Sequence, residues 1–157
     1  MTKAGHDSEN RQAEENFDLF GSFRFKVDAK GRVALPSKFR KALSKDLVVS
    51  LSPVDKCVYV FEPDGFNDWV KQLFDASFGG YDAAKTEHLH LLTALKANAD
   101  SVEVDSSGRI SLKQEIREGA GIEKDVVLVG NNGRLEIWDA GSFEETIDNV
   151  DLSVFFK

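Results

Sequence analysis

Phe23, Phe25 and Val27 alternate with Arg24 and Lys26, the two-residue period of a strand with one buried face. Val102 and Val104 repeat the alternation on a smaller scale. After the first strand comes Asp28-Ala29-Lys30-Gly31-Arg32, whose glycine suits the positive-φ position of a short hairpin loop. Pro36 fits the first turn of a short helix, Ser37 to Leu43, where a missing N–H is no loss. Valine-rich runs follow, Leu47-Val48-Val49 and Val58-Tyr59-Val60-Phe61, and later Val126-Val127-Leu128-Val129 and Leu135-Glu136-Ile137-Trp138. Asn131-Asn132-Gly133 is a turn signal between the last two.

Helical spacing closes each block. Phe66, Trp69, Val70, Leu73, Phe74 and Phe78 fall on one face of a helix that Gly79-Gly80 ends. Ala84, His88, Leu91, Leu92 and Leu95 share a face of a second helix. Ser142-Phe143-Glu144-Glu145 has the form of a capping box opening a C-terminal helix. The tail Leu152-Ser153-Val154-Phe155-Phe156 is apolar for a terminus, suited to docking on a neighbour or on its own domain.

The chain repeats itself. Asp28-Ala29-Lys30-Gly31-Arg32-Val33-Ala34-Leu35 aligns with Asp105-Ser106-Ser107-Gly108-Arg109-Ile110-Ser111-Leu112 at an offset of 77, which also pairs Phe39-Arg40 with Ile116-Arg117. Phe61 falls opposite Trp138, and Phe66 opposite Phe143. Such a repeat predicts two copies of one small unit. The expected organisation is a polar, disordered extension over 1–19, a first domain over 20–75, a helical linker over 76–97, a second domain over 98–150, and a tail over 151–157. The fold class is mostly β with short helices (α+β), with a pseudo-two-fold relation between the units.

Composition narrows the function. The start, Met1 to Glu15, has no apolar core of a secretory signal, and no run reaches the length of a membrane span. Cys57 is the single cysteine and begins a strand, so it reads as an inert small hydrophobe. His88 and His90 point to different helix faces, which leaves His88 at the edge of a core rather than on a metal. Asp148 and Asp151 have no companions that would build a metal or acid–base site, and no nucleophile or phosphate-loop motif is present. The expectation is a cytoplasmic protein that is not an enzyme, with no cofactor, metal or small-molecule substrate.

Charge is unevenly placed. The formal net charge is −7, yet Arg24 to Lys45 holds eight basic residues and one acid, Asp28. A basic segment on an acidic body marks a confined anion-binding face. Glu103 to Lys124, in the second repeat, has four basic and five acidic residues.

The loop supplies the chemistry. Arginine's planar fork of donors can grip a phosphate or the O6/N7 edge of guanine. An aspartate four residues earlier lies across the hairpin and can hold that fork, so less freedom is lost on binding. The same pair could equally be a cross-strand staple that fixes the turn.

Phe20 to Arg40, with Phe23-Arg24-Phe25-Lys26-Val27-Asp28-Ala29-Lys30-Gly31-Arg32-Val33-Ala34-Leu35-Pro36 at its centre, resembles the N-terminal signature of the MraZ family. Glu118 to Gly130, followed by Ile137-Trp138-Asp139, is similar to that family's second half. The resemblance spans about 20–147. It implies tandem AbrB-like swapped-hairpin β-barrel domains assembled into a ring-shaped homo-oligomer. It also implies a nucleoid-associated transcriptional regulator, a repressor of the division and cell-wall gene cluster, that binds short G-rich direct repeats in its own promoter. The family's DNA-binding motif falls on Asp28 with Arg32 and on Asp105 with Arg109. Lys113 stands where Pro36 stands in the first repeat, so the second short helix is expected to start less sharply.

Because neutralising phosphates drives much of DNA affinity, the charge count puts the first loop on DNA. Arg32 is then the leading base contact, Lys26, Lys30, Lys38 and Arg40 are phosphate contacts, and Arg109 is weaker or purely structural. Two other readings stand beside this one: an antitoxin-like repressor of the same superfamily, and a ring-forming scaffold that binds protein partners.

Overall fold

The strand pairing in a computed structural model, described for residues 20–131 and 133–157, shows how the two repeats are combined. The expected extension 1–19 and the centre of the Asn131-Asn132-Gly133 turn lie outside the described residues. The first repeat runs β1 (Ser22–Lys26), β2 (Arg32–Ala34), α1 (Ser37–Ala42), β3 (Asp46–Leu51), β4 (Cys57–Phe61) and α2 (Pro63–Phe78). Helix α3 (Thr86–Ala97) leads to β5 (Ala99–Glu103), β6 (Arg109–Ser111), α4 (Gln114–Gly119), β7 (Asp125–Asn131), β8 (Arg134–Asp139) and α5 (Ala140–Thr146). A 3-10 turn, Leu152–Phe156, ends the chain. The class is mixed α+β with antiparallel pairing throughout.

The repeats exchange strands. One six-stranded sheet has the order β1-β7-β8-β4-β3-β5, and β2 pairs with β6 in a separate ribbon. Each repeat therefore lends its first strand to the other: Phe23 sits opposite Leu128, and Val102 opposite Leu47. Replacing each strand by its repeat partner reverses the order, so a pseudo-two-fold axis passes between β4 and β8. The pairings leave the sheet open at β1 and β5, so these strands do not close into the expected barrel. The ribbon lies across one face instead. Between sheet and ribbon lies an aliphatic core of Val33, Leu35, Val49, Val58, Val60, Ile110, Leu112, Leu128 and Ile137, with Phe39 and Ile116 inserted from α1 and α4. Cys57, Tyr59, Phe61 and Trp138 face the other way and are covered by Phe66, Val70, Phe74 and Phe143. Strand β4 is buried on both faces, which explains an unbroken apolar run where the edge strands alternate.

Several helix ends differ from expectation. Pro36 is the residue before α1 rather than its first turn. Helix α4 begins at the equivalent residue of the second repeat, because Lys113 adopts φ −66°, close to the φ of −53° at Pro36. No less sharp start results. The capping box is absent: Asp139, at the end of β8, caps α5 by accepting from the Ser142 N–H at 3.3 Å. Ala84 lies before α3 and Leu91 is exposed, whereas His88 is buried. His88 accepts the Asp82 N–H on Nδ1 at 2.9 Å and stacks against Phe78 at 4.4 Å. Burial pushes the Cys57 thiol up to about 12, so it stays protonated. The apolar tail, Leu152 to Phe156, is exposed and does not dock on its own core.

Candidate nucleic-acid interface

The two loops are built alike. Asp28 Oδ1 accepts the backbone N–H groups of Lys30 and Arg32, both at 2.9 Å, and Oδ2 accepts from Arg32 Nε at 2.7 Å. Asp105 repeats this with Ser107 N and Arg109 N at 2.9 Å and Arg109 Nε at 3.2 Å. Gly31 and Gly108 take φ of 78° and 79°, and each donates its N–H to the carbonyl of the loop's own aspartate. A side chain at either bend would be strained. The backbone donors hold both carboxyls below their ordinary value of 3.8, with the adjacent arginines adding to the effect.

Antiparallel pairing in the short ribbon sets the two loops at its opposite ends, with Ala34 opposite Arg109 and Arg32 opposite Ser111. Their ion pairs are not equivalent. Arg109 divides its fork between Asp105 and the first loop's Asp28, whose Oδ2 lies 3.5 Å from Arg109 Nη1. Arg32 pairs with Asp28 alone, and among the described residues nothing accepts from its two terminal nitrogens. Both arginines are about one-third exposed, so their forks reach solvent while their stems stay held.

The other expected residues are dispersed. Lys30 is exposed at the tip of the first loop. Lys26 points away from the ribbon: Phe23 and Phe25 pack toward the aliphatic core, so alternation sends Arg24 and Lys26 to the opposite sheet face. There Arg24 pairs with Glu144 and Lys26 with Asp125, each at 3.3 Å. Lys38 Nζ donates to the Phe20 carbonyl at 3.2 Å. Arg40 lies against Gly108, in the other repeat's loop. The basic first-repeat segment is thus divided between two faces and both loops. Sequence reasoning missed Arg117, which lies against Gly31 and donates through Nε to the Leu112 carbonyl at 2.9 Å. Its alignment with Arg40 was the available signal.

These features define a class: an α+β protein of two strand-exchanged repeats that present paired, aspartate-held guanidinium forks on one ribbon. The sequence model of a family described as "MraZ protein, putative antitoxin-like" matches residues 19–88 and 95–156. The chain belongs to the MraZ family. It is 33% identical over 135 residues to the transcriptional regulator MraZ of Acetivibrio thermocellus, covering 86% of this chain and 90% of that one. The protein of the same name from Saccharopolyspora erythraea is 35% identical over 130 residues, covering 83% and 87%. That of Treponema denticola is 34% identical over 127 residues, covering 81% and 85%.

Proposed function

We propose that this protein is a sequence-specific, DNA-binding transcriptional regulator, a repressor that binds short G-rich direct repeats in its own promoter within the division and cell-wall gene cluster. The observation that carries this reading is the pair of forks on the β2–β6 ribbon, Arg32 with its terminal nitrogens unengaged among the described residues and Arg109 beside it. A guanidinium aligned before binding loses little freedom when it meets a guanine edge, and each such contact discriminates by about 1–3 kcal/mol. Arg32 is the leading base contact because, among the described residues, one carboxylate restrains it where two restrain Arg109. Lys30, at the tip of that loop, supplies a phosphate contact. Lys26 and Lys38 act through the general potential rather than by touching the same groove.

The two units are domains of the AbrB-like swapped-hairpin kind, to which the strand exchange lends support. A cytoplasmic, nucleoid-associated ring of such subunits would present several Arg32 forks in succession to repeats about one helical turn apart. The test is a gel shift with DNA from upstream of the protein's own gene, across a salt series. Wild type should bind and weaken steeply with salt. Arg32→Ala should lose about 10- to 100-fold in affinity while keeping its assembled state, and Arg109→Ala should lose less. Wild-type affinity by both variants would remove the assigned readout, and unfolding of Arg32→Ala would leave only a staple.

A further inference from the structure

Both glycine bends are overlaid by an arginine from the opposite repeat. A β-carbon on Gly108 would fall on the Arg40 side chain, against Cδ, Cζ and Nη1, closer than atoms can approach. A β-carbon on Gly31 would meet the Leu112 carbonyl oxygen at 2.9 Å and Arg117 Cζ and Nε at 3.0 Å. Arg40 and Arg117 are repeat equivalents, on α1 and α4, so the pseudo-two-fold axis generates the same arrangement twice. The backbone crosses in the same sense: Leu35 N–H donates to the Gly108 carbonyl, and Leu112 N–H to the Gly31 carbonyl, both at 2.9 Å. Each loop is therefore closed from below by its own aspartate and covered from the side by its partner repeat's guanidinium. Four cationic forks belong to one ribbon: Arg32 and Arg109 at its ends, Arg117 and Arg40 over the bends.

We infer that Arg40 and Arg117 are positioning residues that act across the repeats, Arg117 on the Arg32 loop and Arg40 on the Arg109 loop. The inference rests on the reading of these loops as the DNA-binding elements. A planar guanidinium stem laid on a glycine Cα blocks the loop's alternative backbone excursions, and a loop with fewer states binds with less loss of entropy. At position 108 only glycine leaves room for that stem, while at 31 the Arg117 stem and the Leu112 carbonyl together crowd the bend. Arg40 is thereby moved from supporting the first loop, where charge in sequence put it, to supporting the second.

The experiment uses the full chain carrying Arg40→Ala, Arg40→Lys, Arg117→Ala or Arg117→Lys. Amide hydrogen exchange in the DNA-free protein is read at Lys30 and Arg32, and at Ser107 and Arg109. Arg117→Ala should speed exchange in the first loop and leave the second unchanged, and Arg40→Ala should do the reverse. With DNA from upstream of its own gene, each alanine variant should lose about two- to tenfold in affinity without change in the salt slope. Lysine should not restore the loss, because it lacks the flat fork. In an Arg109→Ala background, Arg40→Ala should have no further effect, and Arg117→Ala should keep its full effect. The inference is overturned if exchange changes in the same repeat's loop or in neither, if lysine restores affinity, or if the salt slope falls by about 1 as for a lost phosphate contact. Should the wild type bind no such DNA while exchange responds as expected, the bracing stands and the DNA reading falls.

Discussion

Asp28 and Asp105 each give one carboxylate oxygen to two backbone N–H groups and the other to an arginine Nε. This single side chain fixes both the turn and the fork, so the staple and the ligand grip are not alternatives at the residue scale. The ionised form is the one that accepts all three bonds. Folded-state pKa values below the ordinary 3.8 mean that the stabilising contribution is whole above that value and is lost as pH falls through the lower, folded one. Arg32 and Arg109 Nε–H signals in nitrogen-edited NMR should therefore hold their positions from about pH 7 to pH 5 and move only in stronger acid. A change near pH 6 would place the titrating group elsewhere. Asp28→Asn should keep the turn, since its side-chain oxygen still accepts from the backbone, and should free the Arg32 Nε–H signal at neutral pH.

Elements were legible where the deciding contacts are local. Strand alternation in β1, the glycine-ended helix α2 and the hairpin bends all follow from neighbours a few residues apart. The capping box failed because it matched a pattern without knowing where the chain turns. Strand β8 ends at Asp139, whose carboxylate is already at the helix start when Ser142 is reached. Lys113 shows the converse, a backbone that needs no proline to take proline's shape. Among the described residues its N–H donates no hydrogen bond. Lys113→Pro should thus raise stability by about 0.4–1 kcal/mol, by restricting the unfolded chain. Urea unfolding read by tryptophan fluorescence checks this, and a loss of stability would show that Leu112 or the Lys113 N–H is constrained in some further way.

The whole molecule is held by exchange between its halves. Strand β3 is paired on its outer side by β5, and β7 by β1, so neither repeat covers its own sheet edge. The ribbon likewise needs one strand from each. Expressed alone, residues 20–75 or 98–150 should not be stable monomers, because an uncovered edge and half an aliphatic core remain. Light scattering after gel filtration should show dimers or aggregate from either piece, and mixing the two should yield a one-to-one complex. A well-folded monomeric fragment would mean that the repeats are separable.

Within the candidate site, the Asp28–Arg32 and Asp105–Arg109 pairs were readable, since four residues and a glycine suffice to build each. The link from Arg109 to Asp28 and the placement of Arg40 over Gly108 were not. Nor was the direction of Lys26, whose charge counted toward the first loop although its strand carries it to the other face.

What the sequence determined by itself is therefore the inventory: two equivalent sets of strands and short helices, each with a carboxylate-held arginine at a bend. Those features arise from backbone preference, side-chain period and hydrogen bonds a few residues long. Tertiary structure alone decided which strand lies beside which, and hence which cations gather at which loop. Strand edges are chemically alike, and the choice among them is made by how completely two aliphatic faces far apart in the chain can bury each other.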